Sequence, residues 1–271
     1  CAAEFVQHVV PGGGRVTDAE AFGDFGVEPA ALGVVECARI VAQRLFVMTG
    51  HASHEFGQIR IGAPDGCANY LLPQICGEIS EANPDLDIQI VALPRVVNLS
   101  RREADIAIAV SPPSAGQLLV QKITDYRLHL AASDNYLAAN APIRTRDDLR
   151  HHRIVGYIPD MIFDKELDYL TEIGVKAPPL ASNSVSVQLN FLRHAAGVGV
   201  VHDFALPAAP ELVRVIPDQI SLTRSFWLIR HADDGRVARL NRFAQQLLAE
   251  IRKEMQRLEA VAENAVQPQR A

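Results

Sequence analysis

The chain has 271 residues, of which 48% are hydrophobic and 21% are charged, and its formal net charge is −6. This composition is typical of a globular protein with one large domain or two smaller ones. The acidic balance excludes a nucleic-acid footprint spread over the whole chain, and no apolar run reaches the roughly 18 residues of a membrane span.

Compartment and cofactors can be predicted from the N-terminus and the cysteines. The first residues lack the basic segment, apolar core and small-residue cleavage site of a secretory signal. The four cysteines, at positions 1, 37, 67 and 76, form no Cys-x-x-Cys pair and indicate no disulfide framework. We therefore expect a cytoplasmic protein with no cofactor, no metal and no membrane partner.

Residues 1–56 differ in charge from the rest of the chain. They carry three basic and seven acidic side chains. Proteins bind DNA by neutralising phosphates with Lys and Arg, so this segment has the wrong sign for that role. Its main predicted element is a helix over 29–48 with one apolar face, and Pro29 suits the first turn of that helix.

From Gly57 onward, short apolar strands alternate with helical segments, which is typical of a parallel sheet. A strand over 57–62 precedes a helix over 68–82, and Pro84 ends that helix. The next predicted elements are a strand over 86–93, a short helix over 96–103, and strands over 105–110 and 118–133.

A second batch of elements follows. Short helices are predicted over 134–139 and 145–150, and longer ones over 163–173 and 185–196. Strands are predicted over 154–157, 180–183, 198–201, 212–216 and 225–231. A long amphipathic helix over 236–262 completes the pattern.

The two batches predict an α/β fold with two doubly wound, Rossmann-like lobes joined by crossover strands. We assign residues 57–125 and 221–262 to the first lobe and 126–220 to the second, with 263–271 as a polar tail. A cleft between such lobes is a usual ligand site, because strand carboxyl ends and helix N-termini converge there.

Several motifs after position 57 form a specific set through their order and spacing. They are Gly57-Gln-Ile-Arg-Ile-Gly62, Leu72-Pro73, Asn83-Pro84, Glu103-Ala-Asp105-Ile-Ala-Ile, and Asn183-Ser184 before a helix that leads into Gly197-Val-Gly199. Over roughly residues 57–255 the chain resembles the effector-binding domain of LysR-type transcriptional regulators. The resemblance implies a type 2 periplasmic-binding-protein-like fold, which senses a small molecule and leaves it unchanged.

The DNA-binding half of that family is a winged helix-turn-helix followed by a linker helix. Phe25-Gly26-Val27 and Leu45-Phe46 faintly resemble parts of the helix-turn-helix, and that assignment leaves no linker helix. Arg15-Val-Thr-Asp18-Ala instead resembles the stretch before the linker helix. It therefore favours the alternative in which 29–48 is the linker helix and the recognition helix is absent. Under either alternative, residues 1–56 are a truncated or degenerate DNA-binding region.

The resemblance also implies an effector site at the strand ends that face the cleft. After the first strand it points to Asp65, Gly66 and Cys67, where polar residues hold an effector carboxylate in the family. After the other strands it points to Pro94, Ser111, Asn183, Ser184 and His202. Structural alternatives remain, in which Asp65 caps a helix, Cys67 fills core space, and the serines cap turns or helices.

The resulting hypothesis is a LysR-type transcriptional regulator that binds a small effector, often a carboxylate or other metabolite. The resemblance also implies a homodimer or homotetramer, and promoter DNA as a partner if the N-terminal region is intact. The alternative is a solute-binding protein of a transport system, which shares the two-lobed fold. We expect no enzymatic activity, since no nucleophile motif such as Gly-x-Ser-x-Gly accompanies His202-Asp203.

Overall fold

The computed structural model describes residues 57–93, 103–175 and 177–265. Its strands are β1 (Gly57–Pro64), β2 (Leu86–Leu93), β3 (Ile106–Ala109), β4 (Leu118–Ser133), β5 (Ile154–Gly156), β6 (Leu180–Ala181), β7 (Val198–His202), β8 (Leu212–Arg214) and β9 (Ser221–His231). Its helices are α1 (Asp65–Tyr70), α2 (Leu72–Ala82), α3 (Asp134–Ala139), α4 (Tyr169–Glu172), α5 (Val185–Arg193) and α6 (Ala238–Ala265). The predicted elements before residue 57 and most of the predicted helix over 96–103 lie outside the described residues.

The described residues form a nine-stranded sheet in the order β2-β1-β3-β9-β4-β7-β5-β6, with β8 paired to β4. Strand β1 is parallel to β2 and β3, and β5 is parallel to β6 and β7. The long strands β4 and β9 lie between these two groups and run antiparallel to each other. We call the described part of 57–111, with β1–β3, α1 and α2, lobe I. We call the described part of 154–202, with β5–β7, α4 and α5, lobe II, and β4 and β9 the crossover strands.

This topology confirms the predicted α/β class with two doubly wound lobes. Because the strands within each lobe are parallel, their carboxyl ends lie at one edge, and the loops that follow them are brought together there. The crossover strands carry the chain between the lobes, and their pairing extends from Leu118 opposite His231 to His129 opposite Ser221. The arrangement supplies a place for a site between the lobes.

Helices α2 and α6 pack on the sheet through apolar faces at helical spacing. In α2 the buried residues are Leu72, Ile75, Cys76 and Ile79. In α6 the buried residues include Leu240, Phe243, Leu247 and Ile251. Full burial of one such large side chain contributes roughly 1.5–3 kcal/mol, so these faces account for much of the stability of the fold. Among the described helices, none is both long and apolar enough to cross a membrane.

Two predicted helices differ from the structure, for local reasons. The helix predicted over 68–82 starts at Asp65 and is divided at Leu71 into α1 and α2. Pro73 has no N–H to continue the α1 hydrogen-bond pattern, and its ring disfavours helix in the preceding turn.

The single helix predicted over 163–173 is wrong. The segment forms a 3₁₀ turn at Lys165–Leu167 and the one-turn helix α4. The side chain of Asp164 accepts a hydrogen bond from Glu166 N–H at 3.0 Å, and that of Asp168 accepts one from Thr171 N–H at 3.3 Å. Aspartate side chains that bond nearby backbone N–H groups compete with a continuous helix, and here they begin two short ones.

Candidate functional site

The candidate site lies where the strand ends of lobe I face helix α5 of lobe II. Strand β1 ends at Pro64, and Asp65 begins α1 directly after it. Asp65 Oδ2 accepts hydrogen bonds from Ser184 Oγ at 3.0 Å and from Ser186 N–H at 3.1 Å. These partners stand 119 and 121 positions away in the sequence. One carboxylate therefore joins the two lobes.

Ser184 is the N-cap of α5. Its Oγ accepts a hydrogen bond from Val187 N–H at 3.3 Å while it donates to Asp65. The first N–H groups of a helix lack intrahelical partners and carry a partial positive charge, so they favour an anion. Asp65 supplies that anion from the opposite lobe. Asp65 does not cap its own helix. The N-cap of α1 is Pro64, and α1 has no side-chain cap hydrogen bond.

A second contact joins the lobes nearby. Ser111, two residues after β3, donates its hydroxyl hydrogen bond to Asp164 Oδ2. Both residues are half-buried, as are Asp65, Ser184 and Ser186. We call these five residues the interlobe bridge. Asp164 and Ser186 are not predicted from the sequence, because Asp164 falls inside a predicted helix and no sequence period links Ser186 to the other lobe.

Gly66 and His202 lie beside this bridge. A Cβ at Gly66 would stand 3.4 Å from Val185 Cγ1 and 3.6 Å from His202 Cε1, so the α1 backbone contacts the start of α5 and the end of β7. These distances are ordinary van der Waals contacts. The structure thus brings Asp65, Gly66, Ser184 and His202 together, as the resemblance predicted, although their role in effector binding stays a prediction.

His202 is a buried and neutral base. Its Nε2 is 3.4 Å from Tyr169 Oη, and its Nδ1 has no hydrogen-bond partner among the described residues. Burial lowers the pKa of His202 to about 4, and the carboxylates of Asp203 and Asp65 oppose that shift only in part. At neutral pH the ring is therefore uncharged, with one nitrogen able to donate or accept a further hydrogen bond.

The crossover strands place aromatic and cationic side chains behind the bridge. Tyr126 on β4 stacks on Phe226 of β9 with ring centroids 4.2 Å apart, and its ring centroid is 5.5 Å from that of His202. Arg224 on β9 lies 5.6 Å from the Tyr169 ring centroid. These residues are not among the predicted site residues, although Tyr126, Arg224 and Phe226 lie at buried positions of strands whose side chains alternate between buried and exposed.

Arg224 is balanced by carboxylates. Its Nε lies 3.1 Å from Glu166 Oε2 and donates to the Glu166 backbone carbonyl at 2.8 Å. Its Nη2 bonds to Glu172 Oε1. The guanidinium is therefore committed to lobe II rather than free to bind an anionic ligand.

Asp203 does not form a dyad with the adjacent His202. It is fully buried and accepts hydrogen bonds from His129 Nδ1 and Arg214 Nη2, both at 2.8 Å. We call His129, Asp203 and Arg214 the buried cluster. It links β4, β8 and the turn after β7, and a charged pair of this kind is structural.

The remaining predicted site residues are Cys67, Asn183 and Pro94, and none of them belongs to the interlobe bridge. Cys67 is 1% exposed and lies in the main core cluster. Burial raises its pKa well above the ordinary thiol value, so it stays a protonated thiol. Asn183 is half-buried and directly precedes the Ser184 cap. Pro94 lies outside the described residues.

A small cavity opens in lobe II beside Tyr169, whose hydroxyl contacts His202. It has a volume of about 110 Å³ and is lined by residues that include Tyr157, Ile162, Tyr169, Leu170 and Gln188. The lining mixes apolar and polar groups, and the volume is small beside the roughly 300–1,000 Å³ that is usual for drug-sized ligands. Within the described parts of the chain, no three His, Cys, Asp or Glu side chains are grouped so as to hold a metal ion.

The sequence comparisons agree with this geometry. The family model of the LysR substrate binding domain matches residues 52–252. The chain belongs to this family. The LysR substrate-binding domain described above is 23% identical to the glycine cleavage system transcriptional activator of Escherichia coli (strain K12), over 72% of this chain and 65% of that relative. It is 22% identical to the HTH-type transcriptional regulator CrgA of Neisseria meningitidis serogroup C, over 74% of this chain and 70% of that relative.

Solved structures of LysR-type regulators share the fold of this LysR domain. The regulatory domain of CrgA from Neisseria meningitidis superposes with a TM-score of 0.65 at 19% identity, covering 72% of this chain and 99% of that one. The regulatory domain of AphB from Vibrio vulnificus gives a TM-score of 0.56 at 19% identity, covering 71% and 100%. The chain spans less than two thirds of the Escherichia coli relative, at 65%. The named relatives are transcriptional regulators rather than enzymes.

Proposed function

We propose that this chain is the effector-sensing part of a LysR-type transcriptional regulator, with its effector bound between lobes I and II. The observation that carries the proposal is the interlobe bridge. Its polar side chains come from both lobes and meet at strand carboxyl ends, which is where two-lobed α/β folds bind ligands. His202 borders the bridge through Gly66, and its Nδ1, which has no partner among the described residues, can add a hydrogen bond to a ligand there.

The mechanism follows from the nature of the bridge. An effector that exchanges hydrogen bonds with Ser111, Asp164 or Ser184 changes how strongly the lobes are held together. A ligand shifts such an equilibrium only by the difference in its affinity for the two lobe arrangements. The crossover strands are the connections across which the lobes would move.

The assignment of the remaining chain is part of the same proposal. Residues 57–262 are the effector-binding domain, and residues 1–56 are a degenerate winged helix-turn-helix or linker-helix region. The regulator acts as a homodimer or homotetramer in the cytoplasm, and it contacts promoter DNA only with a complete N-terminal region. The named relatives favour this role over a transport solute-binding protein.

The site chemistry favours recognition over catalysis. The Cys67 thiol is buried and protonated, and Asp203 is neutralised by Arg214. His202 is a neutral base that lacks an adjacent nucleophile motif. We propose that the effector binds and dissociates without chemical change.

Calorimetry of the full chain against a panel of neutral, cationic and carboxylate metabolites tests the proposal. We expect a binder whose affinity falls about tenfold in Ser111→Ala, because one hydrogen bond to the ligand or to the closed lobes is lost. Ser80→Ala, on the exposed face of α2, is the matched control and should bind as the wild type does. A binder unaffected by Ser111→Ala, no binder at all, or turnover of any compound would contradict the proposal.

The link to transcription needs a separate measurement. A promoter gel shift with the chain joined to a complete helix-turn-helix should respond to the compound found by calorimetry. If the mobility of the promoter DNA is the same with and without this compound, the chain binds a ligand but has no regulatory role.

A further inference from the structure

The anion position at the N-terminus of α5 is already filled by the protein. Asp65 Oδ2 takes the Ser184 hydroxyl at 3.0 Å, the Ser186 N–H at 3.1 Å and the Ser186 hydroxyl at 3.5 Å. Its other oxygen accepts from Asn69 Nδ2 at 3.0 Å. These donors are the groups with which a helix start would hold the carboxylate of a ligand.

A second observation marks the same place as a ligand site. His202 is 4% exposed, and its Nδ1 has no partner among the described residues. The ring carbon bonded to both nitrogens, Cε1, faces Gly66, the residue after Asp65. A buried polar atom without a partner is uncommon in folded proteins, and this one, beside the bridge, leaves a hydrogen-bonding position open to a ligand or a water molecule.

The charges around the bridge point the same way. Asp164 presents a second carboxylate to Ser111 across the lobes. Arg224, the nearby cation, is held by Glu166 and Glu172. A carboxylate that entered the site would meet like charges and find the helix donors already used.

We propose that Asp65 is a tethered anion that occupies the ligand carboxylate position, so that the site takes a neutral or cationic small molecule and rejects carboxylates. The inference rests on the proposed function and names the class of effector for that same site. It departs from the carboxylate effectors that the family resemblance implied. The ligand reaches the free nitrogen of His202 with a hydrogen-bonding group, while Asp65 keeps the start of α5 satisfied.

Removing the tethered anion should turn the site into an anion site. The test compares the full wild-type chain with Asp65→Thr and Asp65→Asn. The probes are sodium acetate and sodium sulfate, with sodium chloride at matched ionic strength as the blank. The readouts are the thermal unfolding midpoint and the amide NMR shift of Ser186. Asp134→Thr, at an exposed aspartate that also begins a helix, is the matched control.

We expect Asp65→Thr to bind sulfate or acetate about tenfold more tightly than the wild type and the Asp134→Thr control do. On addition of the anion, the Ser186 amide signal should shift in the Asp65 variants and stay unchanged in the wild type and in Asp134→Thr. If Asp65→Thr fails to fold, Asp65→Asn reports the same gain, because it keeps the side-chain shape and loses the charge. Anion binding by the wild type with the Ser186 shift, or no gain in either variant, would overturn the inference.

The outcome is distinguishable from failure of the proposed function. The anion test needs neither the natural effector nor DNA, so it stands if no metabolite binds. If a carboxylate metabolite binds the wild type and shifts Ser186, the effector-sensing role survives and the tethered anion does not.

Discussion

The interlobe bridge and the buried cluster are both centred on an aspartate, yet their surroundings differ. Asp203 is fully buried, and the full charge of Arg214 balances it. Asp65 is half-buried and is balanced by neutral donors, namely serine hydroxyls, the Asn69 amide and the N–H groups at the start of α5. The first arrangement fixes strands within one part of the sheet. The second joins two lobes with bonds that water or a ligand can replace.

This difference separates stability from function. Without the Asp203 carboxylate, the buried guanidinium of Arg214 has no counter-charge. The folded state then carries the full desolvation penalty of that guanidinium. Deleting a bridge residue leaves groups that water can reach, so the cost is small. An aspartate suited to sensing is one whose hydrogen bonds can be replaced by bonds to water or a ligand at a small cost in free energy. Asp65 meets this condition and Asp203 does not.

The largest expected effect is at the buried cluster. Asp203→Ala should lower the free energy of unfolding by about 3 to 5 kcal/mol, because Arg214 then stays buried without its partner. Urea denaturation measures this loss, and Asp134→Ala at an exposed position is the control. A loss below about 1 kcal/mol would remove the contrast between the two aspartates.

The second effect concerns pH and His202. Burial lowers its pKa from 6.5 to about 4. Between these values the unfolded chain binds a proton at this residue that the folded chain does not bind. The stability contribution is therefore complete above pH 6.5 and is lost as the pH falls through 6.5 towards 4.

We expect the wild type to lose about 2 to 3 kcal/mol more than His202→Gln between pH 7 and 4.5. Glutamine keeps a hydrogen-bonding group for Tyr169 and does not titrate. Urea titrations at several pH values measure the two slopes, and parallel slopes would show that the buried ring does not control this acid sensitivity.

Local patterns predicted the crossover strand and the helix after it with the observed bounds, Leu118–Ser133 and Asp134–Ala139. Alternation and capping residues lie within these segments, so the sequence contains the information. Local pattern could not reveal that Asp65 bonds to Ser184, since the two are 119 positions apart. The fold brings them together through parallel strand ends, which place the start of α1 against the start of α5.

The third effect is at the bridge itself. Ser184→Ala should lower the free energy of unfolding by about 1 kcal/mol, the usual loss for a helix N-cap. A double-mutant cycle with Asp65→Asn should give a coupling of about 0.5 to 1 kcal/mol, because the two side chains bond directly. A coupling of zero would mean that the two lobes are not joined through this pair in solution.

The smallest change in the free energy of unfolding is expected at an exposed ion pair. It serves as the reference against which the losses at the buried cluster and the interlobe bridge are compared. Lys122 Nζ lies 2.7 Å from Asp125 Oδ1, with side-chain exposures of 47% and 54%. Because solvent and salt screen such a pair, Lys122→Met should change the free energy of unfolding by less than about 0.5 kcal/mol. Urea denaturation at low and high salt measures it. A loss as large as that of Ser184→Ala would show that an exposed ion pair contributes as much to stability as a bridge residue, which would remove this end of the comparison.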